Sequence, residues 1–259
     1  MAGSRPITLI TGASAGIGVA LAREFAAHRH ELVLTARREA QLVALAEEIV
    51  ELGAPRPHVL TVDLTERDAC ARIEDALAER GLAPAYLVNN AGLGLFGETV
   101  DLDRVAQLAM IDLNVRAFTE LTLRFVDSLA RHRGGILNVA SLAAFVPGPR
   151  MAVYHATKAY VLSLSEALHR ELHPLGIAVT ALCPGPVITE FQERSGMAEN
   201  LYPRVLSRSA ARVAEDGYEG LMRGYRVVIP GSHNKVTAAL LRMLPRGAAY
   251  ALARANQRG

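Results

Sequence analysis

The chain has 259 residues, 51% hydrophobic and 21% charged, with a formal net charge of +2 and a pI near 8.7. That composition supports one sizeable α/β core, argues against extended disorder, and lacks the charge excess of a nucleic-acid binder. Cys70 and Cys183 sit far apart in apolar patterns without metal-ligand spacing, which predicts reduced core thiols in a cytoplasmic protein and no bound metal; no apolar run reaches the roughly 20 residues of a membrane span.

The first apolar run, Ile7-Thr8-Leu9-Ile10, reads as a strand and not as a targeting signal. It enters the turn Thr11-Gly12-Ala13-Ser14-Ala15-Gly16-Ile17-Gly18, and helical periodicity follows from Val19 to about His28. Strand, glycine turn and helix in that order suit a phosphate group, because a helix N-terminus offers backbone N–H groups and Gly12, Gly16 and Gly18 keep side chains out of the way. Glu31-Leu32-Val33-Leu34-Thr35 is a second buried strand, so a βαβ unit closes by Ala36. At the tip of such a strand a carboxylate would bind a free ribose 2′-hydroxyl. This chain has Ala36, Arg37 and Arg38 instead, which predicts a 2′-phosphate and hence NADP(H), with Arg37 as its main contact; the plainer alternative is a solvated helix start.

A helix over about 39–52 ends at Gly53, and His58-Val59-Leu60-Thr61-Val62 forms the next strand. Asp63 and Leu64 at its carboxyl end suit an adenine edge, although Asp63 taken alone reads more readily as the cap of a helix starting at Thr65. Tyr86-Leu87-Val88-Asn89 runs into the small residues Asn90-Ala91-Gly92-Leu93-Gly94, which would let a ribose lie over the sheet edge. A long helical pattern over about 102–130 is interrupted near Asp112-Leu113-Asn114-Val115. Beyond Gly134-Gly135, the strand 136–141 ends on Ser141. A strong helix follows over about 154–172, in which Tyr154 and Lys158 share a face four residues apart. Strand 177–183 then leads to Pro184-Gly185-Pro186-Val187-Ile188-Thr189.

Taken together, the Thr11–Gly18 turn, Asn89-Asn90-Ala91-Gly92, Asn114, Ser141, the Tyr154/Lys158 pair and Pro184-Gly185 closely resemble the short-chain dehydrogenase/reductase family over residues 7 to about 190, and the Ala36-Arg37 pair resembles its NADP(H)-using group. The resemblance implies a single Rossmann-type domain over 1–259, with a doubly wound, mostly parallel seven-stranded sheet and helices on both faces. It implies cofactor contacts at Gly12, Ser14, Gly16, Ile17, Gly18, Arg37, Asp63, Leu64, Asn90, Ala91, Gly92, Tyr154, Lys158, Pro184, Gly185, Val187 and Thr189. Thr189 would bond the nicotinamide carboxamide, and residues 191–224 would form a substrate lid.

Carbonyl reduction needs a hydride donor, a clamp on the oxygen and an acid. Tyr154 is the candidate acid/base, since a nearby cation such as Lys158 favours phenolate in a group that otherwise titrates near 10. Ser141 would position the substrate oxygen, and the resemblance gives Asn114 a water linked to the lysine. Each residue has a duller use: Tyr154 and Lys158 as a packing pair, Ser141 as a strand-end cap, Thr189 as a helix cap. The expected function is an NADP(H)-dependent oxidoreductase acting on a carbonyl or secondary alcohol; a catalytically silent NADP(H)-binding regulator is the alternative, and a methyltransferase is disfavoured by Arg37, Arg38 and the Tyr/Lys helix. Apolar lid residues point to a hydrophobic small molecule.

Ser207 or Ser209 is expected to cap a helix ending at Gly224, and 225–231 reads as a last strand. The tail over 232–259 reads as a helical extension in which Val236, Leu240, Met243 and Leu244 share one face, with Lys235, Arg242 and Arg246 elsewhere and Pro245 breaking the run. Such a stripe is expected to pack on its own domain or on a sister subunit in preference to a lipid surface. The resemblance implies a homodimer or homotetramer built on the helices at about 102–130 and 154–172.

Overall fold

Seven apolar segments pair, all in parallel, into one sheet of order β3-β2-β1-β4-β5-β6-β7. In the computed structural model, which describes residues 4–197 and 207–243, the strands are β1 (Arg5–Thr11), β2 (Leu32–Ala36), β3 (His58–Thr61), β4 (Leu82–Asn89), β5 (Gly135–Val139), β6 (Ala178–Leu182) and β7 (Val227–Val228). β1, β2 and β5 are apolar runs because helices cover both faces of a parallel sheet. Pairing of Thr8 with Leu32 and of Thr8 with Tyr86 puts β1 at the centre, where the strand order reverses and a crevice opens at the carboxyl ends.

Helices α1 (Gly16–Ala27), α2 (Glu39–Glu51) and α9 (Ala210–Met222) cover one face, burying Leu21, Phe25, Leu42, Ile49, Val213 and Leu221. The other face carries α3 (Ala69–Glu79), α4 (Arg104–Ile111), α5 (Phe118–Arg124), α6 (Val126–His132) and α7 (Ala152–Glu171), packed through Ile73, Leu121, Leu129 and Leu168. A short α8 (Glu190–Arg194) and a terminal α10 (Ser232–Met243) complete the elements used below.

Several expectations change in detail. The first helix begins at Gly16, so the glycine turn is itself its first turn. No helix starts at Thr65: the Asp63 carboxylate accepts from Thr65 N at 3.0 Å and from Thr65 Oγ1 at 2.8 Å, closing a local turn, and α3 begins only at Ala69. The interrupted helix is a π-helical turn over Asp112–Ala117 between α4 and α5. The last strand shrinks to two residues.

The tail differs most. Asn234 and Ala238 face the body, while Val236 is 59%, Leu240 57% and Met243 84% exposed, so the stripe does not pack on its own domain. The small side chain of Ala238 fits against the body, and Asn234 Nδ2 satisfies itself on Pro230 O at 2.7 Å. Leu244, Pro245 and the rest of the extension lie outside the described residues, as does the part of the lid over 198–206.

Candidate active site

The glycine turn is built against the end of β4. Thr11 Oγ1 donates to Val88 O and accepts from the N–H groups of Asn90 and Ala91, both at 3.0 Å, and Asn90 Nδ2 donates to the carbonyls of Thr11 and Gly12. Gly12 has φ +65°, and a Cβ there would stand 2.8 Å from Ala91 Cα; one on Gly18 would stand 2.2 Å from Gly12 O. These two glycines therefore fold the turn on itself. Ala15, ahead of α1, brings no side-chain cap, which leaves the helix entrance to an anion. Thr189 lies across the turn: a Cβ on Gly16 would come within 3.1 Å of the threonine side chain.

The two arginines after β2 diverge. Arg37 reaches Asp63, with Nη1 to Oδ2 at 3.7 Å. Burial opposes ionisation of Asp63, but its bonds from Thr65 and the Arg37 charge outweigh burial and hold the carboxyl below its ordinary value. Arg38 turns back over the glycine turn, donating to Ser14 O at 3.0 Å and pairing with Glu190 at 2.9 Å. Leu64 is buried, and its carbonyl, with those of Thr65 and Glu66, accepts from Arg116.

Among the described residues Lys158 is the one charged side chain that is buried. It is 6% exposed, its Nζ donates to Val139 O at 2.8 Å, and burial pulls its pKa down to about 8. The amine lies 5.9 Å from the centroid of the Tyr154 ring, one turn earlier on α7. Gly92 lies beside it: a Cβ there would be in ordinary contact, 3.4 Å from Nζ and 3.5 Å from Asn114 Oδ1. The Asn114 carboxamide is fully used as a brace, accepting from Leu93 N at 2.9 Å and donating to Leu93 O and Thr157 Oγ1. A cavity of about 10 Å³ borders Lys158, Asn114 and Asn89. β5 stops at Val139, so Ser141 lies two residues past the strand it was expected to end, and it caps the short 3₁₀ turn Leu142–Phe145 by accepting from Ala143 N at 3.1 Å.

The remaining expected residues close the other wall. Pro184 O accepts from Leu142 N, Gly185 packs on Asn234, and Val187 bridges to Arg208. Thr189 caps α8 in a capping box with Gln192. The next residue but one, Phe191, sets its ring 5.4 Å from that of Tyr154, and a Cβ on Gly94 would stand 2.4 Å from Phe191 Cζ.

Four features of this region escape the motif reading: Arg38 on Ser14, Thr157 holding Asn114, Phe191 against Gly94, and a buried amide ladder. In the ladder Asn89 Nδ2 donates to Asn138 Oδ1 and Thr122 Oγ1, and Asn138 Nδ2 donates to Ser165 Oγ. The available signal was a polar residue inside each otherwise apolar strand.

Comparison with known proteins identifies the chain's family. Residues 6–200 match the family model described as short chain dehydrogenase. Sulfoacetaldehyde reductase 2 of Chromohalobacter salexigens is 37% identical over 188 residues, covering 71% of this chain and 74% of that protein. An 11-beta-hydroxysteroid dehydrogenase of Pinus massoniana is 36% identical over 196 residues, covering 74% of this chain but only 54% of the relative. The structure of a short-chain dehydrogenase from Sphingobium yanoikuyae in complex with NADPH superposes with a TM-score of 0.80 at 33% identity, covering 93% of this chain and 96% of that one. The chain therefore belongs to the short-chain dehydrogenase family, nicotinamide-dependent oxidoreductases that interconvert carbonyl and hydroxyl groups.

Proposed function

We propose that the protein uses NADP(H) to reduce a hydrophobic carbonyl, or to oxidise the matching secondary alcohol, with Tyr154 as acid and base. The placement of the Tyr154 ring one helical turn before the buried Lys158 amine carries this reading. The nicotinamide supplies the hydride when bound; the proton and the geometry fall to the chain. The ammonium lowers the cost of phenolate formation at Tyr154 in a site of low dielectric. Ser141, whose hydroxyl retains a second lone pair and a proton beyond its cap, orients the substrate oxygen. Asn114 contributes through its brace on Leu93 and, bordering the same small cavity as Lys158, is the residue we assign to a water linked to that lysine.

The residues fit the dinucleotide. Gly12, Ser14, Gly16, Ile17 and Gly18 would hold the pyrophosphate at the uncapped start of α1, Asp63 and Leu64 the adenine, and Asn90, Ala91 and Gly92 the ribose beside Lys158. Pro184, Gly185, Val187 and Thr189 would wall the nicotinamide. Arg37 would exchange its 3.7 Å contact with Asp63 for a 2′-phosphate, which carries more charge; Arg38, already on Ser14, would add a second guanidinium. The Sphingobium relative's complex with NADPH supports this choice. Phe191 against Tyr154 supports an apolar substrate and a lid that includes α8.

A homodimer or homotetramer on α4, α5 and α7 accounts for the exposed side chains Leu108, Ile111, Leu123 and Tyr160 on those helices. Sedimentation velocity tests the assembly. The enzymatic reading is tested by following NADPH and NADH oxidation with a panel of ketones, aldehydes and acyl derivatives. Preference for NADPH and for apolar carbonyls is expected; equal use of both cofactors would reject the Arg37 assignment.

A further inference from the structure

We infer that α10 and the basic cleft beside it form a docking surface for an anionic phospholipid bilayer. On the sequence, charge is divided sharply along the chain. Residues 1–219 hold 21 Lys and Arg against all 26 Asp and Glu, whereas residues 220–259 hold seven Lys and Arg and no carboxylate side chain. A stretch that carries cations and no carboxylates suits an acidic partner surface.

In the structure this segment presents an apolar ridge outward. Val236, Leu240 and Met243 recur at spacings of four and three, on the side of α10 opposite Asn234 and Ala238. Lys235 and Arg242 stand together along one side of the ridge, between it and the body, where Arg242 lies 4.8 Å over the Phe145 ring, so both charges sit at the polar boundary of a helix lying in the plane of a bilayer interface. Arg242 also lines a cleft of about 580 Å³ with His169, Arg170, Tyr225 and Arg226. Arg226 and Arg242 share one carboxylate, Glu166, at 3.3 and 3.7 Å, so the cleft keeps an excess of guanidinium charge suited to phosphodiesters. The helix is fastened to the body: Asn234 abuts Gly185, where an added Cβ would stand 2.6 Å from Oδ1.

Charge decides between a bilayer and a second copy. Pairing about a two-fold axis sets the same patch against itself, and here that would oppose one surface of excess positive charge, with Glu166 shared between Arg226 and Arg242, to another of the same kind. An anionic bilayer complements it instead. Each Lys or Arg near such a surface adds about fivefold in partitioning, an effect that salt removes within a Debye length of about 10 Å at 0.1 M.

The test is sedimentation of the full chain with sucrose-loaded vesicles of phosphatidylcholine, alone or with roughly a third phosphatidylglycerol. Co-pelleting with the anionic vesicles only, lost at high salt and reduced at least about tenfold in Val236→Ser/Leu240→Ser and in Lys235→Glu, is expected. These side chains are exposed, on the side of α10 opposite the Asn234 that abuts Gly185, so NADPH oxidation should be unchanged, which separates this test from that of the catalytic reading. Failure of the unaltered chain to pellet would overturn the inference, as would pelleting that survives both variants. Loss of an oligomer in sedimentation velocity on Val236→Ser/Leu240→Ser, without vesicle binding by the unaltered chain, would assign the ridge to a second copy.

Discussion

The Lys158 seam and α10 break the usual burial rule in opposite directions. Around Lys158 the interior is polar: an amine, three asparagines, two threonines and a serine are buried and tied to named partners. On α10 the exterior is apolar. Elsewhere, as between α1 and α9 around Phe25, the core is apolar and ordinary. Departures from local consistency of this kind tend to mark function, because they cost stability that selection retains only for a use. In the seam most of the cost is met by hydrogen bonds inside the chain, with Asn89 Oδ1 left buried and unbonded, whereas on α10 it is left for something outside.

The largest effect should come from the seam's chemistry: Tyr154→Phe is expected to lower kcat by about 10²–10⁴-fold with NADPH binding nearly intact by fluorescence titration. Retained turnover would remove the assigned acid. Next, Asn138→Leu strips Asn89 and Ser165 of a buried partner and should cost about 2–4 kcal/mol in urea unfolding, since orphaned polar groups bear full desolvation. A loss below about 0.5 kcal/mol would show the ladder to be dispensable.

Arg37→Asp should shift the KM ratio of NADPH to NADH by tenfold or more toward NADH, in line with roughly 1.5–3 kcal/mol for a bond to a charged group. An unchanged ratio, with a shift in Arg38→Asp, would move the phosphate to the second arginine.

Lys158→Met sharpens the stability side. The fall from 10.5 to about 8 corresponds to about 3 kcal/mol of penalty on the charged form. Orphaning Val139 O offsets about 1–2 kcal/mol of that, so the variant should be more stable by roughly 1–2 kcal/mol at pH 7 although inactive. The sign follows from proton binding. Between pH 8 and 10.5 the unfolded lysine holds a proton that the folded one has released, so the unaltered protein gains stability as pH rises and the variant's advantage shrinks. A pH-independent difference would contradict this. The smallest effect is expected on α10, where Val236→Ser/Leu240→Ser should change unfolding free energy by less than about 0.5 kcal/mol, because these side chains bury little within the chain.

Much of this was legible in one dimension. The seven strands, the glycine turn and the Tyr154/Lys158 stripe follow from spacing, because side-chain direction repeats every two residues in a strand and every 3.6 in a helix. Sequence separation hides the rest. Whether Arg37 or Arg38 faces Ser14, that Asn114 braces Leu93 and Thr157, that Phe191 lies on Tyr154, and that the α10 ridge points outward are settled by contacts between segments from about twenty to nearly a hundred residues apart. Periodicity shows that a helix has an apolar side. Only the packed structure decides whether that side meets the core, because small residues on the opposite side, Ala238 and Asn234 here, compete for the same contact.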